Sequence, residues 1–283
     1  MWFNNEIYNG FKVKIKIKFN INLVKIIKIA LIIFFIVFPN ISIAKNNKDV
    51  FYFEVQYGNI TIAQINLSVI EKNNVISFRV VSVSEGISNI FYKFKSELFS
   101  RSIKKNIEWI PDLYSTESFF KNKKKISIVR WINEEKKLKF KNDPPLNLKK
   151  VYPIPSETIK DVIDPLTALL QIMKKLKNNK TCEKKVRIFD GRRRYDFITK
   201  DLGIINLKND RPKSYKGKTM ICGIKFYPIG GHRLKSKWKP KQDKFSDIKI
   251  YFGKQKHYFF FPVRMSLNRW FGEIIVRLVK QGS

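Results

Sequence analysis

From Val50 onward apolar side chains fall on every second residue, and no other feature restricts the fold so strongly. Phe51, Phe53, Val55 and Tyr57 share one face, and Tyr52, Glu54 and Gln56 share the other, which is the period of a half-buried strand. Gly58-Asn59 follows as a two-residue hairpin turn. A second strand spans 60–70. Its apolar phase moves from Ile60 and Ile62 to Ile65, Leu67 and Val69, which predicts a bulge near Ala63-Gln64. After a turn at 71–74, strands are expected at 75–83, 91–102, 115–120 and 126–132, an antiparallel meander. Later strands are expected at 220–227, 248–252, 257–265 and 273–278.

One helix interrupts the pattern, after a proline-rich crossing that begins at Asn142-Asp143-Pro144-Pro145. Asp164 is placed to cap it and Pro165 suits the first helical position. Leu166, Leu169, Leu170 and Met173 recur as one apolar stripe, with Lys174 and Lys175 towards the negative end of the dipole. The expected helix covers about 164–175 and lies across one face of the sheet. The segment 235–244 reads as a basic, exposed linker.

The first 44 residues are set aside as a leader. Six lysines precede the apolar run 29–38, Pro39 breaks it, and Ser42-Ile43-Ala44 puts small residues at a cleavage site. The expectation is a signal peptide at 1–44 and a single β-rich exported domain at 45–283, in the periplasm. The alternative is an inner-membrane protein anchored by an uncleaved leader. Two cysteines, Cys182 and Cys222, agree with export and with one disulfide.

The net charge is +34, and 51 basic against 22 acidic residues leave +29 after the leader. Such a charge points to anionic lipid, an acidic polymer or nucleic acid, and export argues against nucleic acid. Of the basic residues 45 are lysine and 12 are arginine, so codons rich in A and T account for part of the excess. Arginines are therefore the more informative cations. A type I′ turn at Asp190-Gly191, within a hairpin at 186–197, places Arg187 opposite Arg194, with Arg192 on the same face. Facing like charges need a carboxylate or an external anion. Arg187, Arg192 and Arg194 are thus the candidate anion-binding residues.

No catalytic constellation is found. Gly-x-Ser-x-Gly, a phosphate-binding glycine loop and His-Glu-x-x-His are all absent from the sequence. Ser102-Ile103-Lys104-Lys105 matches Ser-x-x-Lys, as chance allows in so lysine-rich a chain. His232 and His257 lack metal-ligand spacing. No catalytic residue, metal or cofactor is assigned.

The run from Asp164 to Leu170, then Cys182, the run from Phe189 to Asp196 (Phe-Asp-Gly-Arg-Arg-Arg-Tyr-Asp) and Cys222 resemble an exported bacterial family catalogued as domain of unknown function 3108. Tyr57-Gly58, the run from Trp109 to Tyr114 and Pro262-Val263-Arg264 fit the same family. The resemblance implies a periplasmic, sheet-rich domain and supplies no reaction. By a looser analogy of fold, periplasmic lipoprotein carriers hold acyl chains in an unclosed barrel. The expected fold is mainly β, an antiparallel curved sheet or unclosed barrel with the helix packed across it. The expected function is a non-enzymatic binding module for a lipid or other amphiphile, with peripheral membrane contact. The alternative is a structural or interaction protein of the cell envelope using a basic surface.

Overall fold

The computed structural model describes residues 47–282 apart from 87, 92, 122, 133–136, 237–239, 241–242, 256–257 and 270. The leader, His257 and half of the 235–244 linker lie outside the described residues. Thirteen strands form one antiparallel sheet. They are β1 (Asn47–Tyr57), β2 (Ile60–Lys72), β3 (Val75–Ser84), β4 (Phe94–Lys105), β5 (Glu108–Phe120), β6 (Lys123–Ile132), β7 (Lys137–Asp143), β8 (Lys184–Phe189), β9 (Arg194–Leu207), β10 (Gly217–Gly230), β11 (Ile248–Gln255), β12 (Tyr258–Arg269) and β13 (Gly272–Gly282). A short helix α1 (Ser88–Phe91) and the long helix α2 (Pro165–Asn179) complete the main elements.

The strand order is β7-β6-β5-β4-β3-β2-β1-β13-β12-β11-β10-β9-β8. The last strand therefore pairs with the first, and β7 and β8 are the two edges. Sheets of more than about ten strands rarely stay open and flat. This one curls, because α2 packs against β4, β5, β8 and β12, which lie far apart in the strand order. The expected unclosed, antiparallel sheet with a helix across it is the fold observed.

The ladder itself does not close, and side chains and one short segment bridge the seam. Ile163 forms a parallel bridge to Ile188 on the free edge of β8. The Trp131 indole on β6 donates to the Val162 carbonyl at 2.8 Å. Around them Tyr114, Val129, Val162 and Phe189 form a buried cluster. Gly191, at φ +86°, sits so close to β6 that an added Cβ would lie 2.1 Å from the Ser127 hydroxyl. Only glycine suits both that backbone and that approach.

Asp164 caps α2 as expected, its side chain accepting from the backbone N–H groups of Leu166 and Thr167. The helix is more deeply set than the predicted stripe. Leu170 joins the main core with Phe51, Phe53 and Phe261. Ile172 and Leu176 join a second cluster with the Cys182–Cys222 disulfide. Ala168 joins a third with Val186 and Ile188. A helix inside a curled sheet meets neighbours on several sides, so one apolar stripe does not describe it.

Three differences from the predicted strands have local causes. The β2 bulge falls at Ile62, opposite the step between Val55 and Gln56, slightly before the predicted place. Strand β5 begins at Glu108 despite Pro111, because Asp112 is an extra residue in its ladder with β4 and the bulge accommodates the proline. Strand β7 was not predicted. It is a lysine-rich edge, the composition that protects an edge from pairing.

Candidate functional site

The arginine hairpin departs from the expected register. Phe189 pairs with Arg194, and Arg187 pairs with Asp196, so the connection is the four residues Asp190–Arg193. The Asp190 carboxylate accepts from the backbone N–H groups of Arg192 and Arg193, at 2.9 and 2.7 Å. This side-chain turn overrides the two-residue turn chosen from Asp-Gly. The expected Arg187–Arg194 opposition is thereby corrected: the residue facing Arg187 is an acid. A shift of two keeps the same parity, so Arg187, Arg194 and Asp196 do share a face.

Three of the four arginines in the hairpin, Arg187, Arg192 and Arg194, hold backbone carbonyls. Arg187 donates to the Thr158 carbonyl at 3.0 Å, and the Arg194 Nε donates to the same oxygen at 2.8 Å. Arg194 is 3 % exposed and pairs with Asp196 at 2.7 Å, while Lys185 holds the other carboxylate oxygen at 3.2 Å. Burial would raise the Asp196 carboxyl, but the hydrogen bonds and charges of Arg194 and Lys185 outweigh it and hold the group below the ordinary carboxylate range. Arg192, in the loop, reaches across the seam to the carbonyls of Ile126, Asp143 and Pro144 at 3.0 to 3.2 Å. We expect Arg194→Gln to destabilise by about 2 kcal/mol in denaturant titration. Burial of the pair sets the cost, and Arg187 and Lys185 moderate it by keeping Thr158 and Asp196 partnered. An unchanged midpoint would show that the brace contributes nothing.

The sequence missed a second arginine arrangement, which is the like-charge opposition it sought elsewhere. Arg264 faces Arg277 directly across β12 and β13. Asp210, from the loop after β9, bridges both, at 2.9 Å from Arg264 and 2.8 Å from Arg277. No local pattern announces this, since the acid lies more than 50 residues away in the chain.

The arginines do not rim the apolar concavity. Between α2 and the curled sheet lies a cavity of about 540 Å³. Its apolar wall includes Val69, Ile76, Phe78, Trp109, Leu170 and Phe261, drawn from β2, β3, β5, α2 and β12. Its cations are lysines: Lys104 at the end of β4, and Lys174 and Lys177 on α2. Ile107, 74 % exposed, stands at the mouth. A smaller pocket of about 220 Å³ shares Ile107, Trp109, Lys174 and Asn178 with it. Gln171 donates to the Trp109 carbonyl at 3.2 Å, which ties the helical wall to β5. Tyr258 donates to Asp49 at 3.2 Å; burial first, and then the Asp49 charge, push its phenol above the ordinary range. Among the described residues, no three of His, Cys, Asp and Glu are grouped to hold a metal ion, and no helix is long and apolar enough to cross a membrane.

A family model described as "Protein of unknown function (DUF3108)" matches residues 52–279. A solved structure described as a beta-barrel-like protein of domain of unknown function DUF1849 from Brucella abortus is similar at 9 % identity and a TM-score of 0.43, covering 84 % of this chain and 98 % of that chain. No curated protein matches the chain.

Proposed function

This chain belongs to the DUF3108 family of proteins of unknown function, and on that premise we propose that it is an exported, non-enzymatic module that binds an amphiphile with an anionic head. The cavity between α2 and the sheet carries this reading. Its volume of about 540 Å³ falls within the roughly 300–1,000 Å³ usual for small-molecule sites. An acyl chain would lie against Phe78, Leu170 and Phe261, where burial removes apolar surface from water. Its head would meet Lys104, Lys174 and Lys177. The candidate chemistry is capture and release, a reading that rests on the largely apolar described lining.

The test is titration of the purified chain with a fluorescent fatty acid, alongside lipid extraction of protein taken from cells. Met173 lines the cavity and is only partly buried. Met173→Trp is expected to weaken the fatty acid roughly tenfold or more, about 1.4 kcal/mol. The double variant Lys104→Glu/Lys174→Glu should weaken the acid far more than its uncharged alcohol. No saturable binding by the unaltered chain, or unchanged affinity in Met173→Trp, would overturn the reading.

A further inference from the structure

A second concavity lies towards the other end of the same strands. Strand β5 runs from Glu108, beside the apolar cavity, to Phe120, and β6 returns from Lys123. Beside that return is a hollow of about 760 Å³. Six of its lining residues are basic: Lys125 on β6, Lys149 and Lys150 on the proline-rich crossing, Arg192 on the hairpin loop, and Arg233 and Lys235 after β10. The other lining residues are apolar or amide, and none is acidic. Among the described residues, Lys125, Lys149, Lys150, Arg233 and Lys235 have no carboxylate partner.

The walls are fixed by backbone pairing. Val151 bridges to Arg233, Tyr152 donates to the His232 carbonyl at 2.9 Å, and Leu234 donates to the Lys150 carbonyl at 3.1 Å. Arg192 is held through Nη2 by its three carbonyls. Its Nε and Nη1 have no protein partner among the described residues. The nearby acids Asp143 and Asp190 both act on Arg192, but Asp190 is already engaged by two backbone N–H groups and by Arg193. Lys125 stands in a field of like charges. Burial lowers its pKa, and Arg233, Arg192, Arg193 and Lys123 lower it further.

Six cations on a preformed concave surface repel one another unless something negative sits between them. A fixed guanidinium with donors to spare is suited to a phosphate, whose several oxygens accept at once. We propose that this hollow is a binding site for a ligand carrying more than one phosphate group. The volume is ample for two phosphates on one scaffold, and the cations are spread around it. The chemistry is shared by a phosphorylated lipid headgroup and by a soluble phosphorylated molecule.

Pyrophosphate is the soluble probe, titrated calorimetrically at near-physiological salt, with sulfate as the control for screening. Saturable binding is expected, at least roughly tenfold tighter than sulfate. Lys125→Gln/Arg233→Gln should weaken it roughly tenfold or more. Lys213→Gln/Lys216→Gln, a change at two exposed lysines elsewhere, should leave it unchanged. Vesicles of phosphatidylcholine with and without cardiolipin, which carries two phosphates on one scaffold, form the second arm. Binding to the acidic vesicles that the Lys125/Arg233 change abolishes assigns the phosphates to a lipid, and pyrophosphate binding without vesicle binding assigns them to a soluble ligand. The proposal is overturned if neither probe binds saturably, if sulfate matches pyrophosphate, or if the control pair weakens binding as much as Lys125→Gln/Arg233→Gln. Fatty-acid binding at the apolar cavity is measured on the same variants and should persist, so each site can fail without the other.

Discussion

Reducing the Cys182–Cys222 bond is expected to lower the unfolding free energy by about 4 kcal/mol, the chain-entropy figure for a loop of this length. The two cysteines are 40 residues apart and fully buried. Their loop contains β8 and β9, so the bond ties the chain just after α2 to β10 across the whole arginine hairpin. Denaturant titration of oxidised and reduced protein measures the cost, and alkylation of the unfolded chain counts the thiols. Equal midpoints would show that packing of Cys182 and Cys222 against Ile172, Leu176 and Phe252 suffices without the bond. A functional consequence follows, because α2 is one wall of the apolar cavity. Loosening its C-terminal anchor should also weaken fatty-acid binding, and hydrogen exchange should rise first in α2 and β8.

Strands were legible where one face meets the core and the other meets water. Phe51, Phe53 and Leu67, Val69 alternate with polar or exposed neighbours, and the ladder pairs them as that pattern requires. Legibility failed where a tertiary contact replaced a local rule. Pro111 argues against a strand until the Asp112 bulge, held by Arg101, makes room for it. Asp-Gly argues for a two-residue turn until the Asp190 side chain organises four residues instead. Leu138 and Phe140 do alternate with lysines in β7, but an edge strand carries too few apolar residues to stand out. The cysteines and the Asp164 cap were readable because each is a local chemical signature. The cavity was not. Its wall joins Val69 to Phe261 through a curl of the sheet, and no spacing in the chain records that they meet.

The same distinction bears on the arginines. Their opposition in the expected hairpin suggested an anion site, yet Arg187 and Arg194 both turn to one carbonyl of the loop at Thr158. That loop, the short helix Ser156–Ile159, leads directly into the Val162-Ile163 segment that covers the β8 edge. Arginine suits this duty because its planar fork can serve a carboxylate and a carbonyl together. All three therefore brace the seam, Arg187 and Arg194 through the Thr158 carbonyl and Arg192 through the carbonyls of Ile126, Asp143 and Pro144, and of the three Arg192 also lines the basic hollow.

Asp164→Ala should cost about 3 kcal/mol, more than a surface helix cap is worth, because Asp164 is fully buried and serves two elements. Its carboxylate accepts from the N–H groups of Leu166 and Thr167 at 2.9 and 3.0 Å, from the Ser100 hydroxyl on β4 at 2.9 Å, and from the Thr167 hydroxyl. Thr167 keeps Ser102 as a partner at 2.7 Å, so the main loss falls on Ser100 and the helix N-terminus. Asp164→Asn retains an acceptor and separates charge from shape. Burial raises the Asp164 carboxyl above the ordinary aspartate range, outweighing the hydrogen bonds from Thr167, Ser100 and Leu166 that favour the charged form. The folded chain thus holds this proton more tightly than the unfolded chain. The stability it contributes is greatest below the ordinary aspartate value and falls as pH rises through the raised one. Asp196 and Asp210 have the opposite sign. Burial raises each, but paired arginines overcome it and hold them low, so their contribution is lost as pH falls. Subtracting the variant from the parent at each pH cancels those two groups. The cost of Asp164→Asn should therefore be larger at about pH 4 than at about pH 7. A cost that stays constant, or grows towards neutral pH, would mean that the buried cap is held as a carboxylate by its four donors.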